Sequence, residues 1–149
     1  MGGVYVAGEI EIRFSSDPRW LRSIRMLLEE FTDQAGLDSK ARHEVMLAVG
    51  EALANVMRHS YNGDCNQKIW LNCKSGDSMM EIEIRDRGEA FSLSAAPPPP
   101  DELRPGGRGV YLIRTAMDEV EYSREGDQNL VRMRKVCEPR VPQNLQTAR

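Results

Sequence analysis

The chain has 149 residues, of which 40% are hydrophobic and 29% charged, the balance of one soluble globular domain large enough to bury a single core. Its 20 basic and 23 acidic residues leave a net charge of −3, which gives no electrostatic reason to expect direct nucleic-acid binding or an anionic membrane. Cys65, Cys73 and Cys137 are odd in number and lack metal-site spacing, and His43 and His59 do not complete such a site, so reduced thiols in a cytoplasmic protein are expected. The opening stretch MGGVYVAGEIEIRF has no basic segment followed by an apolar one, so no signal peptide is expected, and no apolar run approaches the roughly 20 residues that span a bilayer.

Residues Glu9 to Ser15 alternate, with Ile10, Ile12 and Phe14 on one face, and read as a half-buried strand. Asp17-Pro18 marks a helix start, and Trp20, Leu21, Ile24, Leu27, Leu28 and Phe31 form an apolar stripe expected in the core, with Gly36 as the stop. Asp38 or Ser39 caps a second helix that runs to about His59. Its apolar side carries Val45, Met46, Val49, Ala52, Leu53, Val56 and Met57; Glu44, Glu51, Asn55 and Arg58 line the other. Turn residues at 61–64 lead to two strands, Lys68 to Lys74 and Met80 to Arg85, joined as a hairpin through Ser75 to Ser78. Glu89 to Pro105 have no periodicity and contain Pro97 to Pro100 in a row, a long loop of the kind that is functional or disordered. Gly106 to Gly109 open a third helix with Val110, Leu112, Ile113, Ala116 and Met117 on its apolar face. Val120 to Arg124 and Leu130 to Val136 form a closing hairpin. Residues 1–137 are thus expected to be one domain and 138–149 a flexible tail. The order β-α-α-β-β-loop-α-β-β predicts a two-layer α/β sandwich, a mixed, mostly antiparallel sheet covered by helices on one face.

Three places carry candidate chemistry. Gly106-Gly107-Arg108-Gly109 at a helix start suits an anion such as phosphate, and it reads equally as a hinge; the Lys-Ser/Thr ending of a P-loop is absent. Asp86-Arg87-Gly88 at a strand end offers a carboxylate that can accept from an exocyclic amine, with a glycine that leaves room for a flat ring; an ordinary turn is the plain alternative. Glu51 and Asn55 lie one helical turn apart, where a carboxamide oxygen could hold Mg²⁺ and a carboxylate could take a proton; a solvated polar face is the plain alternative.

The order and spacing of these pieces are more specific than any one of them. Glu51-Ala52-Leu53-Ala54-Asn55 with His59 and Tyr61, then Asp86-Arg87-Gly88, then Gly106 to Val120, resembles the N box and the two glycine boxes of the Bergerat-fold ATPases shared by gyrase, MutL and histidine kinases. Within these the chain is most similar to the small anti-sigma-factor serine/threonine kinases of bacterial partner-switching systems, over roughly Ile10 to Lys135. The resemblance implies an ATP- and Mg²⁺-dependent protein kinase. Asn55 would bind the metal, Glu51 would be the general base, and Asp86 would read adenine with Gly88 beneath the ring. Gly106, Gly107 and Gly109 would lie at the phosphates, and Arg104 or Arg108 would touch the terminal one, under a lid from Phe91 to Pro105. It further implies a homodimer that phosphorylates a STAS-domain anti-anti-sigma protein and sequesters a sigma factor. Two other readings use the same motifs: a nucleotide-responsive binding module without catalysis, and a detached histidine-kinase catalytic domain. Glu51 speaks against the first, because a pure binder has no need of a base.

Overall fold

The computed structural model describes residues 8–90 and 108–137, with Arg108 described by its backbone alone. Strand β1, Gly8–Ser15, is followed by a single 3-10 turn, Pro18–Trp20, which Asp17 starts by accepting the Arg19 backbone N–H. Helix α1, Leu21–Gln34, stops at Gly36, which takes the left-handed φ of 83° that a side chain would resist. Asp38 caps helix α2, Ser39–Asn55, by accepting the Ala41 N–H at 2.8 Å. The helix does not stop at Asn55. It widens into a π turn, Val56–Ser60, before the chain turns into strand β2, Lys68–Ser75, and strand β3, Met79–Asp86. Helix α3, Arg108–Ala116, then precedes the hairpin of strands β4, Glu119–Glu125, and β5, Gln128–Val136.

The strands form one sheet in the order β1-β2-β3-β5-β4, and every pairing among the described strands is antiparallel. Register stacks the apolar positions in cross-strand rows, such as Ile10–Cys73–Ile82–Met133–Val120 and Ile12–Leu71–Ile84–Val131–Tyr122. These rows meet the apolar sides of the three helices in one core, which buries Leu28, Val45, Leu53 and Ile113. Each such side chain contributes about 1.5–3 kcal/mol by leaving water. The next row of the same face is Phe14–Ile69–Asp86–Asn129–Arg124, so polar groups enter the helix-covered side at one end of the sheet. The opposite face is a ladder of charge. Arg132 lies between Glu83 at 2.9 Å and Glu121 at 3.5 Å, and Arg134 between Glu81 at 2.8 Å and Glu119 at 3.0 Å.

The two-layer architecture agrees with the sequence reading, and three details differ. The sheet is antiparallel throughout its described strands rather than mixed. The α1 stripe is only partly core: Ile24, Leu28 and Phe31 are buried, but Trp20 is 43% exposed and Leu27 is also exposed. Trp20 lies in the 3-10 turn, off the α-helical period, where its indole N–H donates to Ser15 Oγ. Glu44, grouped with the solvent side of α2, reaches instead to Lys135 on β5. The expected lid and the 138–149 tail lie outside the described residues. Among those described, no helix is long and apolar enough to cross a membrane.

Candidate active site

Asn55 ends α2 with 6% of its surface exposed, and Glu51 is partly buried one turn earlier. The first turn of α3 covers both. A methyl group added to Gly109 would stand 3.1 Å from Glu51 Oε2 and 3.1 Å from Asn55 Nδ2, so the glycine backbone lies directly against the two side chains. The polar side of α2 is therefore a helix–helix contact at this point, not a solvated face. Any larger residue at position 109 would push on the carboxylate and the carboxamide together.

Asp86, 1% exposed, lies on the helix-covered face because strand register puts it opposite Asn129. Its Oδ1 accepts from Asn129 Nδ2 at 2.9 Å and from the Gly88 N–H at 2.9 Å. Burial pushes its carboxyl above the ordinary aspartate value, and these hydrogen bonds with the charge of Arg124 pull part of the way back. Asn129 uses its whole amide here: Nδ2 also donates to the Glu89 carbonyl at 2.7 Å, while Oδ1 accepts from Arg124 at 2.8 Å. Arg124 in turn donates to the Gly88 carbonyl at 3.2 Å. The carboxylate is thus held in one orientation by the β4–β5 hairpin.

Gly88 has a reason beyond leaving room for a ring. Its Cα runs against the Ser60 carbonyl, where a side chain would overlap backbone, and the neighbouring Glu89 N–H donates to that same carbonyl at 2.9 Å. The π turn after Asn55 is what carries Ser60 to this point. Tyr61 ties the junction further, donating to the Lys68 carbonyl and accepting the Arg87 N–H at 2.7 Å. Burial raises its phenol, opposed by that N–H. His59 is exposed on the π turn.

Asn55 and Asp86 open on one cavity of about 270 Å³, which Tyr122, Arg124 and Asn129 also line. Asn55, Glu51, Asp86, Gly88 and Gly109 therefore converge around the junction of α2, α3 and the end of β3. Arg104, Gly106 and Gly107 lie outside the described residues, as does the side chain of Arg108, so the structure does not bear on their assignments. Asn129, Arg124 and Ser60 were missed in the sequence. Asn129 and Arg124 stand beside a hairpin turn and join the site only through register, and a π turn leaves no mark in an apolar period of 3.6.

The profile of the histidine kinase-like ATPase domain matches residues 14–135. The chain belongs to that family. Among curated relatives, the serine-protein kinase RsbW of Oceanobacillus iheyensis is 28% identical over 141 residues, covering 89% of each chain. RsbW of Bacillus subtilis is 28% identical over 123 residues, covering 76% of this chain and 77% of that one. RsbW of Listeria monocytogenes (serotype 4a) is 23% identical over 148 residues, or 93% and 94%. In a crystal structure of the RsbU and RsbW domains of a Mycobacterium tuberculosis protein, a likeness with TM-score 0.66 at 16% identity covers 89% of this chain and 33% of that longer one. That likeness is one of fold.

Proposed function

We propose that the chain is an ATP-dependent protein serine/threonine kinase that phosphorylates a STAS-domain anti-anti-sigma protein and sequesters a sigma factor in a bacterial partner-switching system. The observation that carries the reading is the seat of Gly109 on Glu51 and Asn55 beside a cavity that ends on Asp86. Relatives named as serine-protein kinases that align over nearly the whole chain support the same class of reaction.

The cavity is slightly smaller than the roughly 300–1,000 Å³ of typical small-molecule sites, which suits a base rather than a whole nucleotide. Adenine would donate its amine to Asp86, whose orientation Asn129 and the Gly88 N–H fix in advance. The phosphates would then run past Asn55 to the first turn of α3, with the glycines at 106, 107 and 109 and Arg104 or Arg108 about them. The Asn55 carboxamide oxygen, completed by phosphate oxygens, is a donor set that suits Mg²⁺, which needs only one or two protein ligands beside phosphate. Bound there, the ion would neutralise phosphate charge. Glu51 would accept the proton of the attacking serine or threonine hydroxyl as its oxygen bonds to the γ-phosphorus and the bond to ADP breaks. Residues 1–137 would form the single kinase domain, 138–149 a tail, and the working unit a homodimer.

Transfer of labelled γ-phosphate to a purified STAS-domain protein, by the wild type and by Glu51→Ala, tests this reading. The wild type should label a serine or threonine, and Glu51→Ala should still bind ATP but lose transfer by roughly 10²-fold or more. Unimpaired transfer by Glu51→Ala would remove Glu51 as the base. ATP binding by the wild type without transfer to any STAS partner would favour a regulatory module that uses nucleotide only to set its shape.

A further inference from the structure

Lys135 lies on the helix-covered face of β5, buried to 8% exposure, in a row of the sheet with Met80 and Ser75. Its ammonium has two acceptors there. One is the backbone carbonyl of Ala116, the last residue of α3, at 2.6 Å. The other is the Glu44 carboxylate on α2, whose second oxygen lies 3.8 Å from the exposed Lys40. Asp118, two residues beyond α3, is turned to the Val136 N–H, which it accepts at 2.6 Å.

These contacts have a counterpart at the other end of α3. Gly109 meets Glu51 and Asn55, and Ala116 meets Glu44 through the shared lysine, so α3 runs antiparallel to α2. Glu44 and Glu51 are seven residues apart, and so are Gly109 and Ala116. At about 1.5 Å per residue each span is about 10.5 Å. The two helices are therefore pinned at both ends of equal lengths, once by the lysine and once at the proposed nucleotide site. A nine-residue helix has little stability of its own, and a cation on its final carbonyl satisfies an otherwise orphaned acceptor.

We propose that Lys135 is a positioning residue: by holding the Ala116 carbonyl while paired to Glu44, it sets the height of α3 along α2 and hence the seat of Gly109 on Glu51 and Asn55. The functional half of this proposal rests on the nucleotide-site reading above; the structural half does not. Lys135→Met keeps the aliphatic stem and removes the donor. Lys135→Arg keeps both bonds within reach. The reversed pair, Glu44→Lys with Lys135→Glu, restores opposite charges but leaves nothing at position 135 to donate to the Ala116 carbonyl.

Amide hydrogen exchange of the ATP-free protein, and ATP affinity by calorimetry with Mg²⁺, should be measured on the wild type and these variants. For Lys135→Met, exchange should rise in α3 well beyond any change in β2 and β3, and ATP affinity should fall by roughly tenfold or more. Lys135→Arg should recover most of both, and the reversed pair should recover neither. A folded Lys135→Met with wild-type α3 exchange and ATP affinity would overturn the proposal. So would full recovery by the reversed pair, which would make the lysine an ordinary ion-pair partner. Should Lys135→Met not fold, Glu44→Gln decides in its place, with faster exchange confined to α3 expected and a uniform change contradicting the proposal. A wild type that binds no ATP would remove the nucleotide reading, while the exchange data would still decide whether Lys135 positions α3.

Discussion

Gly88 and Gly109 show how single residues hold this site together. At Gly88 a β-carbon would overlap the Ser60 backbone, which the following N–H also fixes, so neither side can yield easily. Gly88→Ala should cost about 1–3 kcal/mol, read from the urea midpoint; an unchanged midpoint would show that the turn can relax away from Ser60. At Gly109 the three atoms nearest the added carbon belong to side chains, at 3.1–3.2 Å, so Gly109→Ala should change stability little and act mainly on nucleotide affinity. Asp86 introduces a pH dependence. Its carboxyl binds its proton more tightly in the folded chain, so its contribution to stability is most favourable in acid. That contribution declines as pH rises through the folded pKa and is constant above it. An adenine amine needs the ionised acceptor, so ATP affinity should fall on acidification at a pH above the ordinary aspartate value, and Asp86→Asn should lack that acid limb. Calorimetric titrations over pH would show either. The thiols differ by burial: Cys73, buried on β2, is pushed up to about 12, whereas Cys65 is exposed. A thiol reagent at neutral pH should modify Cys65 first and leave Cys73 until the chain unfolds, as peptide mass mapping would reveal.

At the scale of elements, α2 is the piece on which the others depend. Its apolar side fills the core, its N-terminus is capped by Asp38, and its polar side meets α3. Asp38→Ala should cost about 1 kcal/mol through the Ala41 N–H left without its acceptor; thermal unfolding with nucleotide absent checks this. The strands, the caps and the apolar sides of the helices were legible because each is a local pattern with a local cause. The π turn was not, because Val56 and Met57 satisfy a plain α-helical period as well as a widened one. Nor was the exposure of Trp20, since the stripe reading assumed that the helix began at Pro18 while the chain first makes a tighter turn. Glu44 looked like one more solvated carboxylate; its partner stands 91 residues away and only the folded sheet brings it near.

Taken as a whole, the molecule has one face of the sheet under its helices and the other carrying paired charge, and the candidate site at the end of the covered face. Alternation within each strand announced both faces. The strand order β1-β2-β3-β5-β4 was beyond a local reading, because the pairing of β3 with β5 joins segments separated by α3 and β4. The site divides in the same way. Glu51, Asn55, Asp86, Gly88 and Gly109 were found through motif spacing, whereas Asn129 and Arg124 enter through that β3–β5 pairing and the hairpin beyond it. On the proposed reading, elements from both halves of the chain meet to hold one Mg²⁺–ATP. Its most direct test is calorimetry of ATP binding with and without Mg²⁺ on the wild type and on Asn55→Ala, with circular dichroism to show that the variant is folded. Binding that depends on Mg²⁺ in the wild type and is lost in folded Asn55→Ala is the expected result. Equal affinity in the two proteins, or wild-type binding indifferent to Mg²⁺, would contradict it.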